Sequence, residues 1–507
     1  MKREMNEGDR VVYRFEEARA LEPIPGLSLT QTLLGLAALA ISVAGLLLGV
    51  ALIGLAIGAG LVVAGFLRPF RRPGLEGVAL LDGGRVGAAY GAAALRGRTR
   101  WRRARGGPTL RSNDTASGCV PLPERVGRFR LISPPGGVDG LGVLVDEAAR
   151  AASVTLRVRL SGSMLADDAQ AQAEQDAWGR LLGSFARDHE PVRRVSWLSV
   201  STPARLDEIA RDLDERATDE FADVLAAYHV AAAAPATAAS EQVLLLSIQL
   251  CLKRRAKLLK KMDTTSAGGP DEAVWRLMHE EGRLVVQTAQ SLGIRVDGGL
   301  SARALGALIR RSVDPASSEM QALGRAHGHA EGVPVESAGP LVVQERLDRA
   351  RTDSVWQRTF WVERFPQREV TGAFLTELLA EPGLERRIAW VGEPVPPSRA
   401  IQQASRRAAA REFANSAKEQ KGFRVDARER NAKERAGEQE QEVAAGHAAY
   451  TFAAYVTVCA RSEDELDAAT TRMLGAGARS FLSLRLLAGE QQEALAYTLP
   501  GTCRGLA

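Results

Sequence analysis

A long uncharged segment near the start of the chain constrains the fold more than any other feature. Residues 23–67 contain no charged side chain and are rich in Leu, Ile, Val, Ala and Gly. As one helix these residues would be about 68 Å long, against about 30 Å for the hydrocarbon core of a bilayer. Two helices joined by a tight turn fit better than one. The segment therefore predicts a transmembrane helical hairpin, 29–48 and 52–67, that turns near Gly49 and Gly54.

Basic residues on both sides of this segment predict its orientation. Positively charged flanks stay on the cytoplasmic side of a membrane. We therefore expect a multi-pass protein of the cell membrane with both termini in the cytoplasm and the lipid bilayer as a partner. The alternatives are a secretory signal peptide, which has a shorter apolar core and a cleavage site, and a buried soluble hairpin. The flanking residues are Lys2, Arg3, Arg10, Arg14 and Arg19 before the segment, and Arg68, Arg71, Arg72 and Arg85 after it.

The order of predicted elements divides the chain into seven segments. Strands at 153–160 and 192–200 around a helix at 167–187 predict a small ferredoxin-like unit. The same order recurs in the last third of the chain, and a helix is predicted over 240–262. The segments are an N-terminal segment (1–28), the transmembrane hairpin (29–67), a basic juxtamembrane and turn-rich segment (68–140), a ferredoxin-like α+β unit (141–205), a helical region (206–313), a linker (314–342) and a second α+β unit (343–507) with a long helical hairpin inserted at 398–445. The predicted fold class is an α+β membrane protein.

Sequence motifs of common catalytic sites are missing. The chain contains no GxxxxGK[ST], HExxH or GxSxG sequence, so a P-loop ATPase, a zinc protease and an α/β-hydrolase are not indicated. His327 and His329 are the nearest approach to a metal-binding pair, but no Cys or third His is close in sequence. We therefore expect no enzymatic activity, no catalytic residue, no cofactor and no metal.

A run of arginines that follows the apolar segment is the candidate interaction site. Over about 16 residues it contains no acidic side chain, and beside an anionic membrane each arginine adds about 1 kcal/mol of attraction. Trp101 is the single aromatic residue in the run, so we expect a membrane surface or a protein partner and no direct nucleic-acid binding. The candidate residues are Arg96, Arg98, Arg100, Arg102, Arg103, Arg105 and Arg111.

Several stretches of the sequence resemble a family of actinobacterial membrane proteins of conjugation-like gene clusters. The resemblance covers nearly the whole chain. The stretches that carry it are residues 13–15 (YRF), 361–366 (WVERFP), 393–400 (EPVPPSRA), 446–450 (GHAAY), 497–500 (YTLP) and 505–507 (GLA). Members of this family look like a PrgI-type membrane hairpin fused to the N-terminal, non-ATPase part of a VirB/TraC-type secretion ATPase.

This resemblance implies a membrane-anchored structural subunit of a conjugation or type IV-like secretion apparatus. Its implied partners are a separate motor ATPase and other subunits of the apparatus, within which the chain would be oligomeric. A type VII secretion component similar to EccE is the alternative within the same class. A membrane-bound transferase is the alternative from a different class, although no metal-binding acidic motif supports it.

Overall fold

The structure is a computed structural model and describes most of the chain outside seven gaps of more than ten residues. The described residues are 29–49, 51–66, 80–103, 118–134, 140–159, 168–187, 191–203, 223–224, 226–228, 240–263, 269–317, 332–366, 370, 372–400, 402 and 448–506. The predicted segment 1–28 and nearly all of the predicted insertion at 398–445 lie outside these residues. His327 and His329 lie outside them too.

The apolar segment forms a helical hairpin, α1 (Leu29–Leu47) and α2 (Ala51–Phe66). Gly49 has a φ of 75°, a left-handed conformation that glycine adopts without strain, so the predicted turn at this residue is confirmed. Gly54 instead lies inside α2, where a Cβ atom would stand 2.8 Å from the Cα atom of Gly45. The two helices therefore approach so closely that a larger residue at Gly54 would force them apart.

The prediction that this hairpin spans a membrane is wrong. Among the described residues, no helix combines the length and the apolar character needed to cross a bilayer. The turn divides the uncharged run into helices of 19 and 16 residues. At 1.5 Å per residue these helices are about 28 and 24 Å long, shorter than a hydrocarbon core of about 30 Å. The predicted fold class of membrane protein and the predicted multi-pass location are corrected accordingly.

In the described part of the chain, fourteen strands form one antiparallel sheet. They are β1 (Arg100–Arg102), β2 (Cys119–Val120), β3 (Phe129–Ile132), β4 (Val143–Asp146), β5 (Ala151–Arg159), β6 (Val192–Pro203), β7 (Ser240–Cys251), β8 (Arg295–Gly299), β9 (Val342–Glu345), β10 (Ala350–Thr352), β11 (Val355–Arg364), β12 (Glu385–Val395), β13 (Ala449–Ala460) and β14 (Ser483–Leu486). The order is β1-β9-β10-β11-β13-β12-β6-β7-β5-β4-β3-β2, with β14 on β11 and β8 on β5.

Nine further helices accompany the sheet in the described residues. They are α3 (Leu80–Leu95), α4 (Asp168–Phe185), α5 (Ala256–Asp263), α6 (Gly269–Ser291), α7 (Ala302–Val313), α8 (Val335–Ala338), α9 (Thr376–Leu379), α10 (Glu463–Arg479) and α11 (Gln491–Ala494), with 3₁₀ turns at Gly372–Leu375 and Leu495–Thr498. Ser462 begins α10 with a capping box, in which its hydroxyl accepts from the Glu465 amide.

The sheet contains two ferredoxin-like units that repeat the same topology. In the first unit β5, β6, β7 and β8 lie in the order β8-β5-β7-β6, and in the second β11, β12, β13 and β14 lie in the order β14-β11-β13-β12. Both are the βαββαβ arrangement with strand order 4-1-3-2. The second strands of the two units, β6 and β12, pair antiparallel to each other. The units are therefore related by a local pseudo-two-fold axis, like the subunits of a dimer whose sheets are continuous.

Alternating side chains build a separate core on each face of the sheet. On one face, Leu246 and Ile248 pack with Leu181 of α4 and Met278 of α6, and a matching core in the second unit includes residues of α10. On the opposite face, Leu245 packs in another cluster that α7 borders. This alternation follows from the two-residue period of a strand.

Residues 499–506, which we call the strap, cross the second face of the sheet. Side chains from several strands donate to its backbone carbonyls: Ser153 to Gly501 (2.6 Å), Gln249 to Thr502 (3.5 Å), Arg194 to Cys503 (3.3 Å) and Leu506 (3.1 Å), and Tyr455 to Gly505 (2.5 Å). Because these donors come from both units, the strap ties the two halves of the sheet together.

One predicted helix proved to be a strand. Residues 240–251 form β7, and only 256–263 of the predicted helix 240–262 are helical, as α5. The predicted helical region 206–313 thus supplies two strands, β7 and β8, to the first ferredoxin-like unit. The strands predicted at 153–160 and 192–200 and the helix predicted at 167–187 agree closely with β5, β6 and α4.

Candidate functional site

The arginine run forms one edge of the sheet. Arg96 and Arg98 lie in the turn after α3, and Arg100 and Arg102 lie on β1, which is the last strand in the sheet order at this end. All four side chains are exposed. β1 pairs with β9 on one side, with Trp101 opposite Val343. Within the described residues no strand pairs with its other side.

Strand alternation explains why this edge is so basic. Trp101 points inward and packs against the core cluster that includes Leu305 of α7, whereas its neighbours Arg100 and Arg102 point to solvent. Arg103, at the end of β1, is half-buried, and its guanidinium donates to the backbone carbonyl of Glu336. The tryptophan therefore fixes the register of the strand and leaves two arginines free on its outer face.

The exposed arginines are not neutralised by neighbouring carboxylates. Among the described residues, Arg96, Arg98, Arg100 and Arg102 form no ion pair, although ion pairs are common elsewhere in the sheet. Cationic side chains on an edge strand discourage unspecific pairing with other strands. They also attract an acidic partner surface. The other two predicted site residues, Arg105 and Arg111, lie outside the described residues.

A buried carboxylate on β9, the strand next to β1, helps to position this edge. Arg125 pairs with Glu345 of β9 and with Glu493, the latter at 3.1 Å. Burial raises the pKa of the Glu345 carboxyl above its usual value, although the backbone amide of Gln492 and the charge of Arg125 act in the opposite direction. Tyr90 of α3 donates to the Glu345 carbonyl at 3.3 Å. These contacts hold the turn that carries Arg96 and Arg98 against the sheet.

Sequence reasoning found the arginines but missed the residues that position them. Arg125, Glu345 and Glu493 are far apart in sequence, and no local pattern connects them. The alternation of Arg100, Trp101 and Arg102 was the available signal, because charged, apolar, charged is the pattern of a half-buried strand.

Metal-binding side chains and thiols in the described residues form no second candidate site. No group of His, Cys, Asp or Glu side chains there has a metal-binding arrangement. All four cysteines are free thiols. Burial raises the pKa of Cys459 and of Cys503 to about 12, so both thiols stay protonated and unreactive at neutral pH.

Comparison with known proteins adds no family assignment. No protein-family model matches the chain, and no curated protein matches it either.

Proposed function

We propose that the chain is a non-catalytic structural subunit of a conjugation or type IV-like secretion apparatus, and that it docks a separate motor ATPase. The basic sheet edge is the observation that carries this proposal. In the described residues, two exposed arginines on β1 and two in the turn before it form no ion pair, and no strand pairs with the outer side of β1. The resemblance of the sequence to subunits of such systems supplies the identity of the partner.

The chemistry of the edge favours a protein partner. Arginine is enriched at protein interfaces, where its planar guanidinium forms paired hydrogen bonds with carboxylates. An open edge strand also offers backbone groups to an added strand. The partner surface should therefore be acidic and extended, and its binding should weaken as salt increases.

The arrangement of buried charges supports a structural role. Asp146 is paired with Arg504 at 2.8 Å, and Asp353 with Arg310 at 2.7 Å. Each carboxylate is nearly fully buried and forms an ion pair with an arginine of the same fold. These groups stabilise the sheet and its covering segments, which suits a scaffold.

Charge reversal at the edge tests the proposal. In a pull-down with a VirB/TraC-type ATPase, the variant Arg100→Glu/Arg102→Glu should recover less than about a tenth of the ATPase that the unmodified chain recovers, because each attraction becomes a repulsion. The matched control is Lys257→Glu/Lys260→Glu, which makes the same charge change on α5 and should recover normal amounts. Equal recovery by the edge variant and the unmodified chain would refute docking at β1.

A further inference from the structure

A second basic surface lies at the far end of the first ferredoxin-like unit. It consists of six cationic side chains, which we call the basic cap: Arg150, Arg193, Lys253, Arg254, Lys257 and Lys260. Five are exposed and Arg193 is half-buried. In the described residues none of the six forms an ion pair. The basic cap shares no residue with the β1 edge, and five strands lie between β1 and β6 in the strand order.

Three local irregularities bring these cations together. Arg150 closes the tight turn between β4 and β5 with a φ of 47°, a left-handed conformation that an arginine adopts only at a cost. Arg193 is the extra residue of a β-bulge in β6, and bulges redirect side chains. Its guanidinium donates to the carbonyl of Ala149 in the Arg150 turn at 3.2 Å.

The third irregularity is the turn that follows β7. The amide of Leu252 donates to the carbonyl of Arg150 at 2.9 Å, so Lys253 and Arg254 stand beside the β4–β5 turn. Leu259 and Met262 of α5 pack against the core of the first unit, which leaves Lys257 and Lys260 on the solvent side of the helix. The Arg150 turn, the bulge at Arg193 and the turn that leads from β7 into α5 therefore place their cationic side chains at the same end of the unit.

Among the described residues, several carboxylates close to the basic cap pair with cations outside it. Glu147 pairs with Arg130 at 3.1 Å, and Glu281 of α6 approaches Arg255 at 3.9 Å. Asp271 also pairs with Arg130, at 2.6 Å. Asp263, at the end of α5, is the single acidic residue of that helix. Within the described part of the chain, the six side chains of the basic cap therefore keep their positive charge without an ion-pair partner.

The composition of the basic cap indicates what it binds. Residues 252–263 contain no aromatic side chain and no Asn or Gln, so bases cannot stack on this segment or be read by amide side chains. Its lysines and its lack of aromatic residues are also unlike the centres of protein interfaces. Lysine and arginine at surface turns and on a short helix are suited to the phosphates of a nucleic-acid backbone.

We propose that the basic cap binds the phosphate backbone of double-stranded nucleic acid without sequence preference. The sequence predicts no direct nucleic-acid binding, because the arginine run contains a single aromatic residue and because the basic residues 253–261 fit a packed amphipathic helix. Helix prediction over 240–262 also hid the turn that exposes Lys253 and Arg254. The inference does not depend on the proposed docking function, since it concerns different residues and a different ligand.

The test measures binding of the full chain to a short fluorescent DNA duplex of random sequence by anisotropy over a range of salt concentrations. The variant Lys253→Gln/Arg254→Gln/Lys257→Gln should bind at least about tenfold more weakly at low salt, and the slope of log affinity against log salt should fall by about one for each cation removed. The matched control, Arg96→Gln/Arg100→Gln/Arg102→Gln, loses the same charge at the β1 edge and should change the affinity less than about twofold by the same reasoning.

A second variant separates binding from folding. Arg150→Gly removes one cation and places glycine where φ is positive, so its thermal midpoint should stay the same or rise while duplex binding weakens. No duplex binding at low salt, or equal losses in the two triple variants, would overturn the proposal. Binding of anionic phosphatidylglycerol vesicles through the same three cations, with the duplex ignored, would overturn it in favour of a lipid surface. Loss of duplex binding with normal ATPase recovery would leave the docking function standing.

Discussion

Trp197 of β6 and Trp390 of β12 lie directly opposite each other in the strand pair that joins the two ferredoxin-like units. The neighbouring pair is Leu198 with Ala389. The Trp390 ring also lies 5.7 Å from the ring of Tyr450, whose hydroxyl donates to the carbonyl of Leu182 in α4 at 2.7 Å. Aromatic packing and a hydrogen bond therefore connect the halves on the face that α4 covers.

Trp390→Ala should destabilise this joint. Loss of the half-buried indole removes packing on both sides of the β6–β12 pair, and we expect the free energy of unfolding to fall by about 2–4 kcal/mol. Urea denaturation followed by tryptophan fluorescence and circular dichroism measures the change. Leu95→Ala is the control, because Leu95 is 91% exposed and its loss should cost no more than about 0.5 kcal/mol. A Trp390 variant as stable as the control would show that the joint does not depend on this ring.

Arg504→Ala should loosen the strap. The guanidinium forms two hydrogen bonds of 2.8 Å with the buried carboxylate of Asp146 and lies 5.0 Å from the centre of the Phe129 ring. Its removal leaves a buried, unpaired charge, so unfolding should become easier by about 3 kcal/mol.

Two further variants complete the Arg504 experiment. Arg504→Lys should recover less than half of the loss, because an ammonium group cannot reproduce the paired geometry. The double variant Arg504→Ala/Asp146→Ala should be less destabilised than the sum of the single variants, since it removes both charges. Simple additivity in thermal denaturation would indicate that the two residues do not interact.

Glu385 should make stability depend on pH. Burial raises the pKa of its carboxyl to about 7. The positive charges of Arg387, Arg311 and Arg461 lower this pKa, and the negative charge of Asp314 raises it, but burial has the largest effect. In the unfolded chain the pKa is 4.5, so the folded state holds the proton more tightly. This contribution to stability is fully present below about pH 4.5 and is lost as the pH rises to about 7.

Glu385→Gln should remove that dependence. Because the amide stays neutral, the variant should gain stability relative to the unmodified chain as the pH rises from about 4.5 to about 7 and keep a constant advantage above it. Melting temperatures measured across this range provide the comparison. The exposed Glu280→Gln on α6 serves as the control, and an identical pH profile for all three proteins would exclude Glu385 as the titrating group.

Ser462→Ala should weaken the start of α10. The serine hydroxyl accepts from the Glu465 amide at 3.2 Å, and the Glu465 carboxylate accepts from the Ser462 amide at 3.3 Å. Loss of the cap should cost about 1 kcal/mol. Thr471→Ala, on the exposed part of the same helix, should change the stability by less than about 0.5 kcal/mol. If chemical denaturation gives the two variants equal stabilities, the capping box contributes nothing measurable.

The sequence predicts those helices and strands whose hydrophobic pattern fits either the helical period or the strand period, but not both. β5 alternates apolar and polar residues at its end, and Ser462 followed by Glu465 marks the start of α10, so both could be placed. The sequence 240–251 contains the run Val243, Leu244, Leu245, Leu246, which suits a buried strand and a buried helix equally. Pairing with β5 and β6 decides between them, and that information is spread over the whole chain.

The hairpin and the two basic surfaces could also be predicted only in part from the sequence. Absence of charge over residues 23–67 predicted a helical hairpin, but where the turn ends each helix decides whether either can cross a bilayer. At the β1 edge, the charges of Arg100 and Arg102 were visible in the sequence, whereas the supporting Glu345 was not. The basic cap needed the bulge at Arg193 and the left-handed Arg150, and neither has a local sequence signal.

The strap has a consequence for the order of events during synthesis. Residues 499–506 are synthesised after every strand that they cross. Until then, the strap carbonyls that accept from Ser153, Gln249 and Arg194 do not exist. Until the strap is synthesised, these polar groups of the nascent chain can hydrogen-bond only to water or to other parts of the chain. The hydrogen bonds through which the strap joins the two units can therefore form only after residues 499–506 have been synthesised.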